Sequence, residues 1–211
     1  MVVVCVSREH GSGAVDFRNS LAKRLGYRLY DREIIARAAE EMEIHPDQAE
    51  ALAETADPTL VERLVGRLTA ITPARLGELR YGDTSVDPPT MRLVIRDTIR
   101  RLSEKGATIF VGRGASIVLA DRKDVVSLRV VAPQANRMHS IAARRGCTQF
   151  EAAQEVEEMD AARRRFIRQQ FEVDWDVPGN HHLVLNMGRL STQEAVDLAA
   201  RMVEQIESAG N

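Results

Sequence analysis

The residues best equipped for chemistry stand at the ends of short apolar runs. Ser7-Arg-Glu-His-Gly-Ser-Gly13 follows Val2–Val6 and leads into an amphipathic segment from Ala14 to Leu25. An apolar run, a glycine-bearing turn and a helix start in that order form a phosphate-binding layout, because the first helical N–H groups have no intrahelical acceptors and the helix dipole favours an anion there. A loop that also catalyses transfer has the spacing Gly-x-x-x-x-Gly-Lys-Ser/Thr, in which lysine neutralises the moving phosphoryl group and the hydroxyl holds magnesium. Aligned on Gly13, this chain has Arg8 at the first glycine, Ala14 at the lysine and Val15 at the hydroxyl. Gly11, Ser12 and Gly13 keep backbone donors, but Ala14 and Val15 bring no charge and no hydroxyl. Lys23 lies nine residues beyond Ala14, roughly 13 Å away at helical rise, so the replacement charge falls to Arg8. The plainer reading of the same residues is an ordinary strand-to-helix turn with an exposed arginine and a capping serine.

Two further strand ends carry chemistry. Asp31 closes Tyr27–Asp31 and stands where it would cap a helix from Arg32 to Met42, or face a ligand at the sheet edge. Arg113 follows Thr108–Val111 between Gly112 and Gly114, neighbours that let a guanidinium and its backbone approach a ligand closely.

The elements that must position these residues follow from periodicity. Strands are expected at 2–6, 27–31, 108–111, 125–131 and 182–186. Helical patterns lie between them: Ala14–Leu25 ended by Gly26, Thr90–Lys105, a tract from Pro133 to Phe171 broken near Gly146, and a last helix opened by the capping box Ser191-Thr-Gln-Glu194. Strands alternating with helices predict a parallel sheet covered on both faces, with ligands outside its carboxyl ends. Residues 43–89, rich in proline and glycine, read as a helical insertion within a single domain spanning 1–211.

Composition narrows the class. A formal net charge of −2 over 211 residues argues against general nucleic-acid binding. Lys23, Lys105 and Lys123 are the only lysines, so positive charge is almost wholly arginine. Cys5 and Cys147 make neither a disulfide framework nor a zinc site. With no secretory layout and no membrane-spanning apolar run, the expectation is a cytoplasmic protein with no membrane partner.

Five pieces in fixed order resemble the cytidylate kinase-like family of nucleoside monophosphate kinase relatives: Ser7–Gly13, Tyr30-Asp-Arg-Glu-Ile-Ile35, Val111-Gly-Arg-Gly-Ala115, Val156-Glu-Glu-Met-Asp-Ala-Ala-Arg163 with Phe166 and Trp175, and Leu183-Val-Leu-Asn186 followed by Leu190. The resemblance implies a five-stranded parallel sheet of order 2-3-1-4-5, an acceptor-binding insertion and an arginine-bearing lid at about 133–175. It also implies phosphoryl transfer from ATP, with Mg2+, to a nucleoside monophosphate such as CMP or a similar small acceptor. On this reading Arg8, Gly11, Ser12, Gly13, Ala14 and Val15 meet the nucleotide, Asp31, Arg113 and Asp160 meet the acceptor, and Arg8, Arg137, Arg144 and Arg163 supply the catalytic charge. A plain ion pair between Asp160 and Arg163 explains those two equally well. Ordinary cytidylate kinases have Gly-Arg-Asp where this chain has Gly114 third, which removes a carboxylate. Phe166 and Trp175 read as core, and His181-His182 is not a metal pair, since neighbours on a strand face opposite ways. A second reading is a nucleotide-binding or sensor protein that has lost catalysis. A third is a protein that self-associates into a homo-oligomer through residues 43–89.

Overall fold

The computed structural model describes residues 1–31, 33–41, 45 and 88–209. The expected insertion at 43–89 therefore lies, apart from residues 45, 88 and 89, outside the described residues. The chain forms two compact units, Met1–Asp31 with Leu102–Asn211, and Arg32–Arg101.

The first unit holds a parallel sheet of order β2-β3-β1-β4-β5, with β1 Val3–Arg8, β2 Arg28–Tyr30, β3 Thr108–Val111, β4 Val125–Val131 and β5 Leu183–Asn186. This is the order the family resemblance implies. β1 is central because it is apolar on both faces: Val3, Val4, Cys5 and Val6 are at most 1% exposed, as a strand between two parallel neighbours must be. Val4 pairs in register with Ile109 and Val126. Val2, Val4 and Val6 pack with Phe17 and Leu21 of α1 (Ala14–Leu25) and with Ala195, Val196, Ala199 and Val203 of α7 (Thr192–Ala209). The opposite face of β1 and β4 carries Ser7 and Arg129 side by side. Arg129, 3% exposed, donates to the Trp175 carbonyl and to Asp176 (2.8 Å), and its guanidinium lies 4.1 Å from the Trp175 ring.

The helical tract after β4 is two helices, α5 Gln134–Arg145 and α6 Gln149–Phe171, divided at Gly146. Thr148 and Glu151 form a capping box that opens α6, and Ser191 and Glu194 open α7 in the same way (Ser191 Oγ to Glu194 Oε2 2.7 Å). A short helix, α4, spans Ala115–Val118. In the second unit α2 is Glu33–Glu41, with Ile34, Ile35, Ala38 and Ala39 buried on one face. α3 runs Pro88–Ser103, ending just past the boundary of that unit. Where expected bounds and observed elements differ, the shift is one or two residues at frayed ends.

β5 starts at Leu183, so His181 and His182 precede the strand instead of alternating along it. Both reach one residue: Ser127 donates its N–H to His182 Nδ1 (3.0 Å), and its hydroxyl lies 2.9 Å from His181 Nδ1. Among the described residues no helix is long and apolar enough to cross a membrane.

Candidate functional site

The carboxyl ends of β1, β2 and β3 bring Arg8, Asp31 and Gly112–Gly114 together. Arg8 ends β1, and its guanidinium runs over the end of β3 to Asp31 beyond β2 (Nη2 to Oδ1 3.5 Å). That path exists because position 112 is glycine: a Cβ there would strike Arg8 Nη1. Arg18, one turn into α1, bonds the other Asp31 oxygen. Arg8 is also under the influence of Arg163, Arg113 and Arg18. Burial first, then these cations, push its pKa down to about 10, with Asp31 opposing. Arg8 remains charged at neutral pH, but in surroundings that disfavour a cation, and an anion brought there would relieve it.

Arg113, with φ +54°, lines the same cleft as Arg8, Arg163, Phe166, Asp174 and His181. The glycines beside it have a different purpose from the one expected. Their open space is filled by the chain's own side chains: Gly112 by Arg8, and Gly114 by the Phe171 ring, which a Cβ would strike. Phe171 in turn meets Phe166 edge-on (6.3 Å, 72°). The ring therefore closes the space beside Gly114 in which a carboxylate would have to stand. Trp175, 7% exposed, is a core residue held by Ser7 (Nε1 to Oγ 3.0 Å), while Phe166 is only partly buried.

The loop between β1 and α1 is held from within and from α5 and α6. Ser12, 2% exposed, donates its hydroxyl to the Glu9 carbonyl (2.8 Å), so this oxygen shapes the turn. The Glu9 carboxylate accepts the Ala132 N–H (3.1 Å) and lies 3.5 Å from Arg137 Nε. Asp160 of α6 is 2% exposed and accepts the His10 N–H (2.8 Å), Arg137 Nη1 and Arg163 Nη1 (3.0 Å). The His10 ring donates to Glu155 (Nε2 to Oε1 2.7 Å), and burial holds its pKa below the usual histidine value against the pull of Glu155. Arg163 also donates to the Arg8 carbonyl (3.4 Å), and burial lowers its pKa as well. Among the described residues the N–H groups of Gly11 and Gly13 have no protein acceptor.

The sequence-derived candidates therefore fall into three places. Arg8, Asp31, Arg113 and Arg163 converge at the strand ends. Gly11, Ser12, Gly13, Ala14, Arg137 and Asp160 form or brace the loop, with Ala14 buried and Val15 44% exposed on the helix surface. Arg144 sits exposed in the last turn of α5 and lines neither region. Glu9, His10, Arg18 and Glu155 were not singled out by type or spacing. Arg18 had one available signal, its place one helical turn beyond Ala14 on the helix that follows the loop. Among the described residues no group of three or more His, Cys, Asp or Glu is placed to hold a metal ion. Val15 replaces the loop hydroxyl that ordinarily ligates magnesium, so among the described residues the loop lacks that ligand.

A sequence model of the cytidylate kinase-like family matches residues 3–189, most of the chain. The chain belongs to the cytidylate kinase-like family. Among solved structures it is similar to an uncharacterized protein from Eubacterium ventriosum ATCC 27560 (16% identity, 97% of this chain and 98% of that one, TM-score 0.69). It is also similar to TT1252 from Thermus thermophilus (21% identity, 97% and 96%, TM-score 0.51). A gluconokinase from Sinorhizobium meliloti 1021 shares the fold as well (11% identity, 100% and 98%, TM-score 0.54). At these identities the likeness is one of fold. A comparison with curated protein sequences gives no match. The fold is thus kinase-like.

Proposed function

We propose that the protein is an ATP-dependent phosphotransferase whose acceptor is a nucleoside monophosphate, CMP-like, or a similar small anionic molecule. The observation that carries this reading is the path of Arg8 across Gly112 to Asp31, beside Arg113 and Arg163. It concentrates positive charge at the sheet's carboxyl edge, next to a loop with open backbone donors, where α/β folds place ligands. The acceptor's anionic group lies among these arginines, Arg8 serving it instead of the nucleotide contact expected from the loop spacing, and Asp31 holds Arg8 and Arg18 in place for it. The nucleotide's phosphates lie against the N–H groups of Gly11 and Gly13 and the first turn of α1. ATP enters as its magnesium complex, the ion being part of the substrate. The chain's contribution is alignment of the two anions and charge from arginine, with water excluded as α5 and α6 close over them. When the acceptor atom is an ionised phosphate oxygen it carries no proton to remove, so transfer to a nucleoside monophosphate needs no general base.

A second reading, nucleotide binding with weak or no catalysis, is favoured by one observation: Ala14 and Val15 stand where lysine and hydroxyl act, and Arg137 is already paired with Asp160 and Glu9. The deciding assay gives purified protein MgATP and a panel of nucleoside monophosphates and follows ADP. ADP formation above the ATPase background with one acceptor supports transfer; ATP binding with no turnover across the panel supports the second reading.

A further inference from the structure

We propose that Asp160 is a resident anion of the loop, competing with nucleotide phosphate for the same donors, so that helix α6 is latched to the loop by its own carboxylate. The proposal rests on the reading that the loop receives a nucleotide. Asp160 takes one backbone N–H from the middle of the loop, at His10, and one guanidinium each from Arg137 on α5 and Arg163 on α6. A backbone donor plus two guanidiniums is the set that grips a phosphoryl group, and here it encloses a side-chain carboxylate that is 2% exposed.

The latch has a second tie at the same loop residue. The His10 ring meets Glu155, which lies five positions earlier on α6 and is also paired with Arg145 (3.1 Å). Arg137 is matched twice, by Asp160 and by Glu9, 3.5 Å from its Nε. In a chain with no lysine at the loop, these are the cations a nucleotide would use, and Asp160 and Glu9 neutralise their charge. A doubly charged phosphate entering the loop replaces a singly charged carboxylate, and the buried guanidiniums keep an acceptor throughout the exchange. Because the receptive loop is the one without Asp160, nucleotide affinity is reduced by the fraction of molecules in which the latch is closed. Arg163, released with Asp160, stays in the cleft shared with Arg8 and Arg113.

The alternative is that Asp160 simply fixes the shape of the loop. The two differ in sign. Calorimetric titration of the full chain with ADP would compare wild type with Asp160→Asn and with Glu155→Gln, a less buried and milder release of the same helix. The latch requires tighter ADP binding in both, on the order of 10-fold for Asp160→Asn and less for Glu155→Gln. Should Asp160→Asn fail to fold, Glu155→Gln decides alone. Wild-type binding with equal or weaker binding by the folded variants overturns the latch and leaves the nucleotide reading standing. If no protein binds ADP, the nucleotide reading falls and the latch with it.

Discussion

The loop and the strand-end cleft use the same residue type in opposite ways. At the loop, Arg137 is 9% exposed, donates to Asp160 and lies 3.5 Å from Glu9, so its charge is matched from within the chain. At the strand ends Arg8 is drawn over Gly112 into the field of three other arginines and its pKa is pushed down to about 10. There, like charge is concentrated. Buried pairs that neutralise each other should reveal themselves in stability, whereas concentrated like charge should reveal itself in binding. Arg163 joins the two, bonding Asp160 with its guanidinium while lining the cleft.

This contrast can be broken at either end. The largest effect is expected from Arg137→Ala, which leaves buried Asp160 short of a partner; urea unfolding should show a loss of about 3–5 kcal/mol. A loss under 1 kcal/mol would mean that the loop charges are not structural. Next comes Gly114→Asp, which restores the carboxylate of ordinary cytidylate kinases at a left-handed residue (φ +72°). Its side chain must push Phe171 aside, so about 3 kcal/mol of stability should be lost, and an unchanged unfolding midpoint would show that the ring yields freely. Arg113→Ala should act on binding: acceptor KM rising about ten-fold, or about 1.4 kcal/mol, with ATP KM nearly unmoved. Equal losses for both substrates would remove its place at the acceptor.

The smallest effect is a pH dependence at His181, which lines the cleft without joining its ion pairs. Burial first, then Arg129 and His182, push His181 down to about 4 from an ordinary 6.5. The folded chain thus binds this proton less readily than the unfolded chain, and stability present above pH 6.5 is lost as pH falls toward 4. His181→Gln should flatten that part of the stability profile, and an identical slope in the variant would exclude His181 as its source.

Much of this fold was legible because local chemistry dictates it. Val3–Val6 reads as a buried strand from its β-branched run, β3 and β4 end where Gly112 and Pro133 interrupt them, and the Ser191 and Glu194 spacing marks the start of α7. The same spacing at Thr148 and Glu151 fixes the start of α6. Of the site, the Asp160–Arg163 pair was legible as neighbours three apart on a helix. The other bonds of Asp160 were not: Arg137 lies 23 positions away and His10 lies 150 away, and only the folded topology brings them together. The glycines around Arg113 were visible, but not their reason. A glycine leaves space without saying whether a ligand or the chain's own Arg8 and Phe171 will fill it.

Arg8 is the residue on which the strand-end site turns. Calorimetric titration of wild type and Arg8→Ala with CMP, and separately with ADP, asks whether the arginine that crosses Gly112 serves the acceptor. The account predicts CMP affinity lowered by about ten-fold or more with ADP affinity unchanged; CMP bound equally well by both proteins would contradict it.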